Sequence, residues 1–347
     1  MIRRRTAFSL VEMLVAMAVL TVVLMMLFSI VNAVSRTLTL TNGLNDQMRS
    51  TQDAFDEITR RLSQATLNTY YDYDNPAEPT RYIRQSELRF LCGSATDFLG
   101  PTPSHPTHAV FFVAPLGYSG NNANKGLTTL LNTWGFYIEY GDNTKWLPPF
   151  LQPILPPGSI RSRFRLLELM QPAESMALYK YTSGSNNTGY TGHEWFTEPL
   201  QSASFTHVLA ENVIALIFLP RLSSKDIDST GKTFAASALA PNYLYDSSSL
   251  GAATGGGADA GALNSKNQLP PLVQVTMVSV DETSMLHLPS PETTINEILK
   301  NLFQLPSKYD ADLAALEKGL ADKHISFHTF TTTVGIQASK WSRAETN

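Results

Sequence analysis

Residues Met13–Val31 run for 19 positions without a charged side chain, and Glu12 stands immediately before them. Wound as a helix at 1.5 Å per residue, such a run is enough to cross a hydrocarbon core of roughly 30 Å. Only Thr21 and Ser29 are polar within it, and hydroxyl side chains are tolerated in apolar helices. Arg3, Arg4 and Arg5 precede it, so the positive-inside rule places the N-terminus in the cytoplasm and everything after about residue 34 on the far side. A cleaved secretory signal could use Val31-Asn32-Ala33 as its cut, but the apolar region exceeds the usual length and Glu12 lies inside its leading edge. A plain signal anchor accounts for the length and the arginines and leaves Glu12 unexplained.

The stretch RRTAFSLVEMLVAMAVL resembles the cleavage and methylation motif of type IV prepilins. That motif has a basic leader, a small residue, Phe, and a Thr/Ser-Leu-Ile/Val-Glu run that opens the membrane helix. The positions here are Ala7, Phe8, Ser9, Leu10, Val11 and Glu12, with Ala7 where the family strongly prefers Gly. The resemblance implies cleavage between Ala7 and Phe8 by a membrane aspartyl prepilin peptidase, N-methylation of Phe8, and retention of the apolar segment. It also implies a partner for Glu12. A carboxylate at membrane depth needs one, and the family supplies the free amino group of a Phe8, usually on the neighbouring subunit of a helical assembly. The bland alternative is a glutamate that snorkels to the headgroups.

Beyond the membrane, Leu44, Met48, Thr51, Phe55, Ile58, Leu62 and Ala65 recur at spacings of four and three, one face of a helix. Asp46, Arg49, Asp53, Asp56, Glu57, Arg60 and Arg61 occupy the other face. A helix from Phe8 to about Asn68 would be roughly 90 Å long, with a weak stretch over Arg36–Asn45. A coiled-coil dimer could use the same stripe. After YYDYDNPAEP the pattern turns to β-type runs at Ser86–Cys92, His108–Ala114, Trp134–Tyr140, Phe164–Met170, Asn212–Arg221, Leu272–Val280 and Ser326–Ile336. PETTINEILKNLF and DADLAALEKGLADKH show helical spacing.

These patterns predict an α+β, pilin-like chain: a long N-terminal helix, transmembrane in its first half, packed on an antiparallel β-sheet head. The divisions are a cytoplasmic leader (1–7), a membrane helix (8–34), its amphipathic continuation (35–68) and the head (69–347). Between VIALIFLPRL and PPLVQVTMVSVDE lies the Ser/Ala/Gly-rich tract 223–266, predicted to be a flexible insertion in a hairpin. The helix and residues of about 205–285 resemble the minor pseudopilins of the J type, which in type II secretion systems sit at the filament tip. The ending VGIQASKW is also similar to the large prepilin-type proteins of the Verru_Chthon cassette C group.

The residues offer little for catalysis. Cys92 is the single cysteine, so no disulfide or cysteine-based metal site can form within the chain. The seven histidines (105, 108, 193, 207, 287, 324 and 328) give only two close pairs, His105/His108 and His324/His328, too few ligands for zinc. Asp72, Asp74, Asn75 and Glu78 share one loop but lack the glycine and spacing of an EF-hand. A polar turn, with Tyr70, Tyr71 and Tyr73 capping a helix–sheet junction, is the simpler expectation. The glycines near residue 255 lack a flanking strand and helix. No catalytic residue, metal site or cofactor is predicted, and the chain is read as no enzyme. A net charge of −4 argues against nucleic acid.

The functional expectation is a structural subunit, a minor pseudopilin or pilin-like protein, of a type II secretion or type IV pilus-like assembly. It would sit in a bacterial inner membrane as a single-pass protein with its N-terminus cytoplasmic and its head extracytoplasmic. The resemblance implies as partners other pilin or pseudopilin subunits, the prepilin peptidase, the inner-membrane assembly platform and membrane lipid. The alternative is a membrane-tethered binding or adhesin module that recognises ligands through its long loops.

Overall fold

The computed structural model describes residues 10–124, 126–151, 153–156, 160–182, 192–223, 239–248 and 265–341. The chain divides into two compact units, Met1–Arg49 and Ser50–Asn347. Helix α1 (Leu10–Ser63) begins in the first and ends in the second. Its last turn carries Arg60 and Arg61, where positive charge complements the carbonyl end of the helix dipole. It stops at Ser63, earlier than the expected Asn68, because the chain turns to dock: Thr66 N donates to Val113 O (2.8 Å).

The second unit is α+β. Its strands are β1 (Tyr70–Tyr73), β2 (Tyr82–Gln85), β3 (Phe90–Ser94), β4 (His108–Pro115), β5 (Leu131–Gly141), β6 (Arg163–Gln171), β7 (Thr206–Glu211), β8 (Val213–Arg221), β9 (Tyr245–Asp246), β10 (Leu272–Val280) and β11 (Phe327–Gly335). The helices after α1 are α2 (Ala95–Leu99), α3 (Leu178–Thr182), α4 (Glu194–Leu200), α5 (Glu282–Leu286), α6 (Pro291–Leu299) and α7 (Tyr309–Asp322). Among the described residues the strands form three sheets, ordered β7-β6-β5-β4-β3-β9, β11-β10-β8 and β1-β2, and every pairing is antiparallel.

The six-stranded sheet is covered on both sides, which explains why β4 reads as the continuous apolar run HAVFFVAP rather than as an alternation. On one face Phe90, Val110, Phe112, Phe136, Leu166 and their neighbours pack with Phe55, Ile58 and Leu62 of α1 and with β8 and β10. On the other, Phe111, Val113, Tyr137 and Leu167 pack under α3 and α4, where Phe196 stacks on Phe111 at 3.9 Å between ring centroids. Ile295, Leu316 and Leu320 of α6 and α7 join the same core as α1, β8 and β10. All seven predicted strands are present, Leu272–Val280 with the expected ends and the other six shifted at one end or both, and both predicted C-terminal helices form.

The chain crosses from the large sheet to the smaller one at Asn212, whose φ of 60° is the left-handed conformation that Asn tolerates well. Asn212 N donates to Phe164 O (2.6 Å) and its carbonyl accepts from Val280 N (2.9 Å), so one residue ties both sheets. Arg163 braces the corner, pairing with Glu211 (2.9 Å) and Glu282 (2.8 Å).

Beyond the earlier end of α1 and the added strand β7, the structure differs from expectation in its sheets, in a hairpin and in the tract 223–266. One sheet was expected and the strands divide among three. Tyr70–Tyr73 is a strand, not a polar cap at the helix–sheet junction, and it pairs with Tyr82–Gln85 in an exposed hairpin. The tract 223–266, read as a single flexible insertion, includes a packed segment: within 239–248, Leu239, Ala240, Tyr243, Tyr245 and Ser247 are buried. Tyr245 Oη donates to Gln268 O (2.9 Å), and Ser247 exchanges bonds with the Phe90 backbone, donating through N and accepting through Oγ. The glycines near 255 lie outside the described residues.

Candidate assembly site

From Leu10 to Ser35 α1 is long and apolar enough to cross a membrane, and every side chain along it is exposed within the chain itself. Leu10 is 80 % and Phe28 69 % exposed, which water would not tolerate over so long a surface. Thr21 is accommodated as the sequence suggested, its hydroxyl donating to Met17 O (2.8 Å) and Ala18 O (2.9 Å). Leu10, Val11 and Glu12 form the first turn of α1, with the carboxylate at the positive end of the helix dipole. Arg3, Arg4, Arg5, Ala7, Phe8 and Ser9 lie outside the described residues.

Several titratable groups of the head are engaged in its packing and turns. Cys92 is fully buried and burial pushes its thiol well above the usual range, so it is no nucleophile. His105 and His108 do not converge: His105 Nδ1 donates to Ile138 O (3.1 Å), and His108 Nε2 donates to Phe303 O (3.2 Å). Burial holds His108 down at about 4. Asp74 is occupied by its own loop, with Oδ1 accepting from Asn75 N, Thr80 N and Arg81 N; its bond to the Thr80 hydroxyl, then these amides, drives its carboxyl far below the usual range. Among the described residues no group of three metal-ligating side chains converges. In an open cleft of about 580 Å³ beside Trp146 and His207, Lys145 Nζ donates to Leu200 O and Trp146 Nε1 to Thr206 O.

Two features escaped the sequence reading. The β1–β2 hairpin aligns Tyr71, Tyr73, Tyr82 and Arg84 on one exposed face, with Tyr73 stacked on Tyr82 at 5.0 Å. The alternation in YYDY signalled a strand, but the adjacent Asp-Asn-Pro turn masked it. Glu168, read simply as part of a strand, is a buried carboxyl that burial pushes up to about 7.

Residues 2–28 match the family model described as the prokaryotic N-terminal methylation motif. The chain therefore carries a prepilin-type N-terminal motif, and with its one N-terminal apolar helix it fits a single-pass, membrane-anchored protein. No curated protein and no solved structure matches it.

Proposed function

We propose that this chain is a minor, pseudopilin-like subunit of a type II secretion or type IV pilus-like machine, and that its work is mechanical. The observation that carries the reading is the methylation motif over residues 2–28 joined to a fully exposed apolar helix that leads into an α+β head. A helix apolar on every side must be buried, and since the chain itself covers none of Leu10–Ser35, lipid and neighbouring helices are left to do so.

In this reading the prepilin peptidase cuts between Ala7 and Phe8, and Phe8 becomes the methylated N-terminus of the mature subunit. Glu12 in the first helical turn then meets the amino group of a neighbouring Phe8, which neutralises both charges in a medium of low dielectric. Arg3, Arg4 and Arg5 hold the leader in the cytoplasm, so the head lies outside the inner membrane. The resemblance of the helix and the β8–β10 region to J-type pseudopilins favours a place at the filament tip, where a head this large does not crowd a uniform lattice.

Mass spectrometry of the mature N-terminus tests it. Methyl-Phe8 is the expected species; an intact Met1 or a start at Val34 rules the reading out.

A further inference from the structure

We propose that strand β11 is a self-pairing edge, through which the heads of two copies of this chain join their three-stranded sheets into one. The inference goes beyond the subunit role proposed above and does not depend on processing at Ala7.

β11 is an outer strand of its sheet: it pairs with β10 over nine residues, Phe327–Gly335, without a register break. Just past its ends Asp281 N donates to Ser326 O (2.9 Å) and Ile336 N donates to Pro271 O (3.1 Å). Bonded and non-bonded pairs alternate in an antiparallel ladder. The even-numbered residues from 326 to 336 therefore turn their backbone groups to β10, and Phe327, Thr329, Thr331, Thr333 and Gly335 turn theirs outward. Among the described residues no backbone bond to these five is found, and the row is closed only beyond the strand, where Gln337 N donates to Ser63 O at the end of α1 (3.0 Å).

The other edges of the two larger sheets are guarded. β7 has a register break opposite Leu166/Leu167, its Thr206 carbonyl accepts from Trp146, and Glu211 is ion-paired to Arg163. β9 is two residues long. β8 has its Leu216 N–H and C=O both bonded to the Thr107 hydroxyl. Proteins blunt exposed edges with charge, proline, bulges or short length, because an open edge templates another strand. β11 uses none of these: FHTFTTTVG is long, β-branched, free of proline and free of Lys, Arg, Asp and Glu. His328, Thr331, Thr333 and Gly335 are exposed.

The occupant follows from the pattern of the edge itself. A row of alternating N–H and C=O groups is complementary to another strand, and this row is complementary to a second copy of itself. Antiparallel self-pairing with full overlap centres on Thr331. It sets Thr331 against Thr331 and Thr329 against Thr333 as bonded pairs, and Phe330 against Thr332 between them. Thr–Thr pairs are favourable across strands, and no like charges meet, since His328 falls opposite Val334. Anchoring both copies in one membrane raises their effective concentration, so a short ladder suffices to pair them.

The test uses the full chain in its membrane. Thr331→Cys places a thiol at the dyad, where bonded partners have Cα atoms about 5.5 Å apart, within disulfide range. Native Cys92 is buried and does not compete. Mild oxidation should give a homodimer from Thr331→Cys at least tenfold more efficiently than from Thr333→Cys, whose partner is Thr329. The double variant Thr329→Cys/Thr333→Cys should recover the product. Equal crosslinking at Thr331, Thr333 and the exposed helix control Asp53→Cys would overturn the proposal. So would the absence of a dimer, or a Thr331→Cys adduct only to a different protein.

Discussion

The indole N–H of Trp134 donates to the carboxylate of Glu168, a side chain 6 % exposed on the sheet face that packs against α1. Arg61 lies 4.8 Å over the same indole ring but gives its Nε to Glu57 (2.6 Å), so the nearest guanidinium is engaged elsewhere. Burial first, with Glu57 adding to it, pushes Glu168 up to about 7 against the partial relief of Trp134, Arg61 and Arg60. A carboxyl whose folded value lies above its unfolded value favours folding most below the unfolded value, here near 4.5. That contribution is lost as pH rises through about 7, by roughly 3 kcal/mol at most. Glu168→Gln keeps the acceptor for Trp134 and removes the titration. The variant should gain on the parent protein between pH 5 and pH 8 in chemical unfolding, and a difference that does not change with pH would show the carboxyl to be solvated.

Much of this was legible in the residues. The helical stripe from Thr51 to Ala65 predicted the face of α1 that packs on the sheet, because amphipathic spacing records which side is buried. The runs in β4, β8 and β10 announced strands, and their burial on both faces explains why the runs are continuous. What was hidden depends on long-range partners. Tyr243 and Tyr245 sit in a tract of linker composition, and only their docking on β3, through pairs such as Cys92 with Tyr245, reveals a strand. β7 was hidden because Thr206–Glu211 runs into β8 with only Asn212 between them, and the sheet change is made by backbone conformation rather than by a turn sequence. Glu12 is the opposite case: its expected role as a charge partner rests wholly on its spacing from Phe8 and the arginines.

The packed face of α1 yields a direct test. Ile58 is fully buried between helix and sheet, whereas Asp53 is exposed. Ile58→Ala removes buried methyl and methylene groups and leaves a cavity, so it should cost about 2–5 kcal/mol. Asp53→Ala should stay within about 0.5 kcal/mol. Guanidinium unfolding followed by tryptophan fluorescence, which Trp134 reports from the same core, measures both. Equal effects would mean that this helix face does not pack as described.

The segment 239–248 is held by side-chain anchors rather than by ladder length. Tyr245→Phe leaves Gln268 O without its donor and should cost about 1 kcal/mol. Tyr245→Ala also empties a fully buried aromatic site and should cost about 3–5 kcal/mol. If this segment is part of the core, the alanine variant should also expose the β3 edge to proteolysis near residues 239–248 under conditions where the parent chain resists. Unchanged cleavage and stability would count against its packed placement.

Gly135 shows a third dependence on close approach. A Cβ at this position of β5 would collide with the ring of Phe111 on β4, which itself stacks on Phe196. Neither ring can yield without disturbing the α4 side of the sheet. Gly135→Ala should therefore destabilise by about 1–3 kcal/mol, although alanine is the better strand residue elsewhere. Adding Phe111→Leu should recover part of the loss, because the smaller side chain vacates the space. Failure of that rescue would place the strain elsewhere.

Glu12 separates insertion from assembly. Membrane insertion depends on summed hydropathy, so Glu12→Gln and Glu12→Ala should insert as well as the parent chain or better. In the role proposed above, assembly through Phe8 depends on the charge. If the carboxylate neutralises a neighbouring amino group, both variants should lower crosslinking to neighbouring subunits about tenfold or more, the equivalent of ~1.4 kcal/mol. Glu12→Asp keeps the charge on a side chain one methylene shorter and should retain part of it. A glutamate that merely snorkels to the headgroups predicts a different order: Glu12→Gln would behave like the parent chain, because the amide reaches the interface as readily. The rank of Gln against Asp therefore decides between the two roles, and membrane fractionation run in parallel shows that insertion is intact.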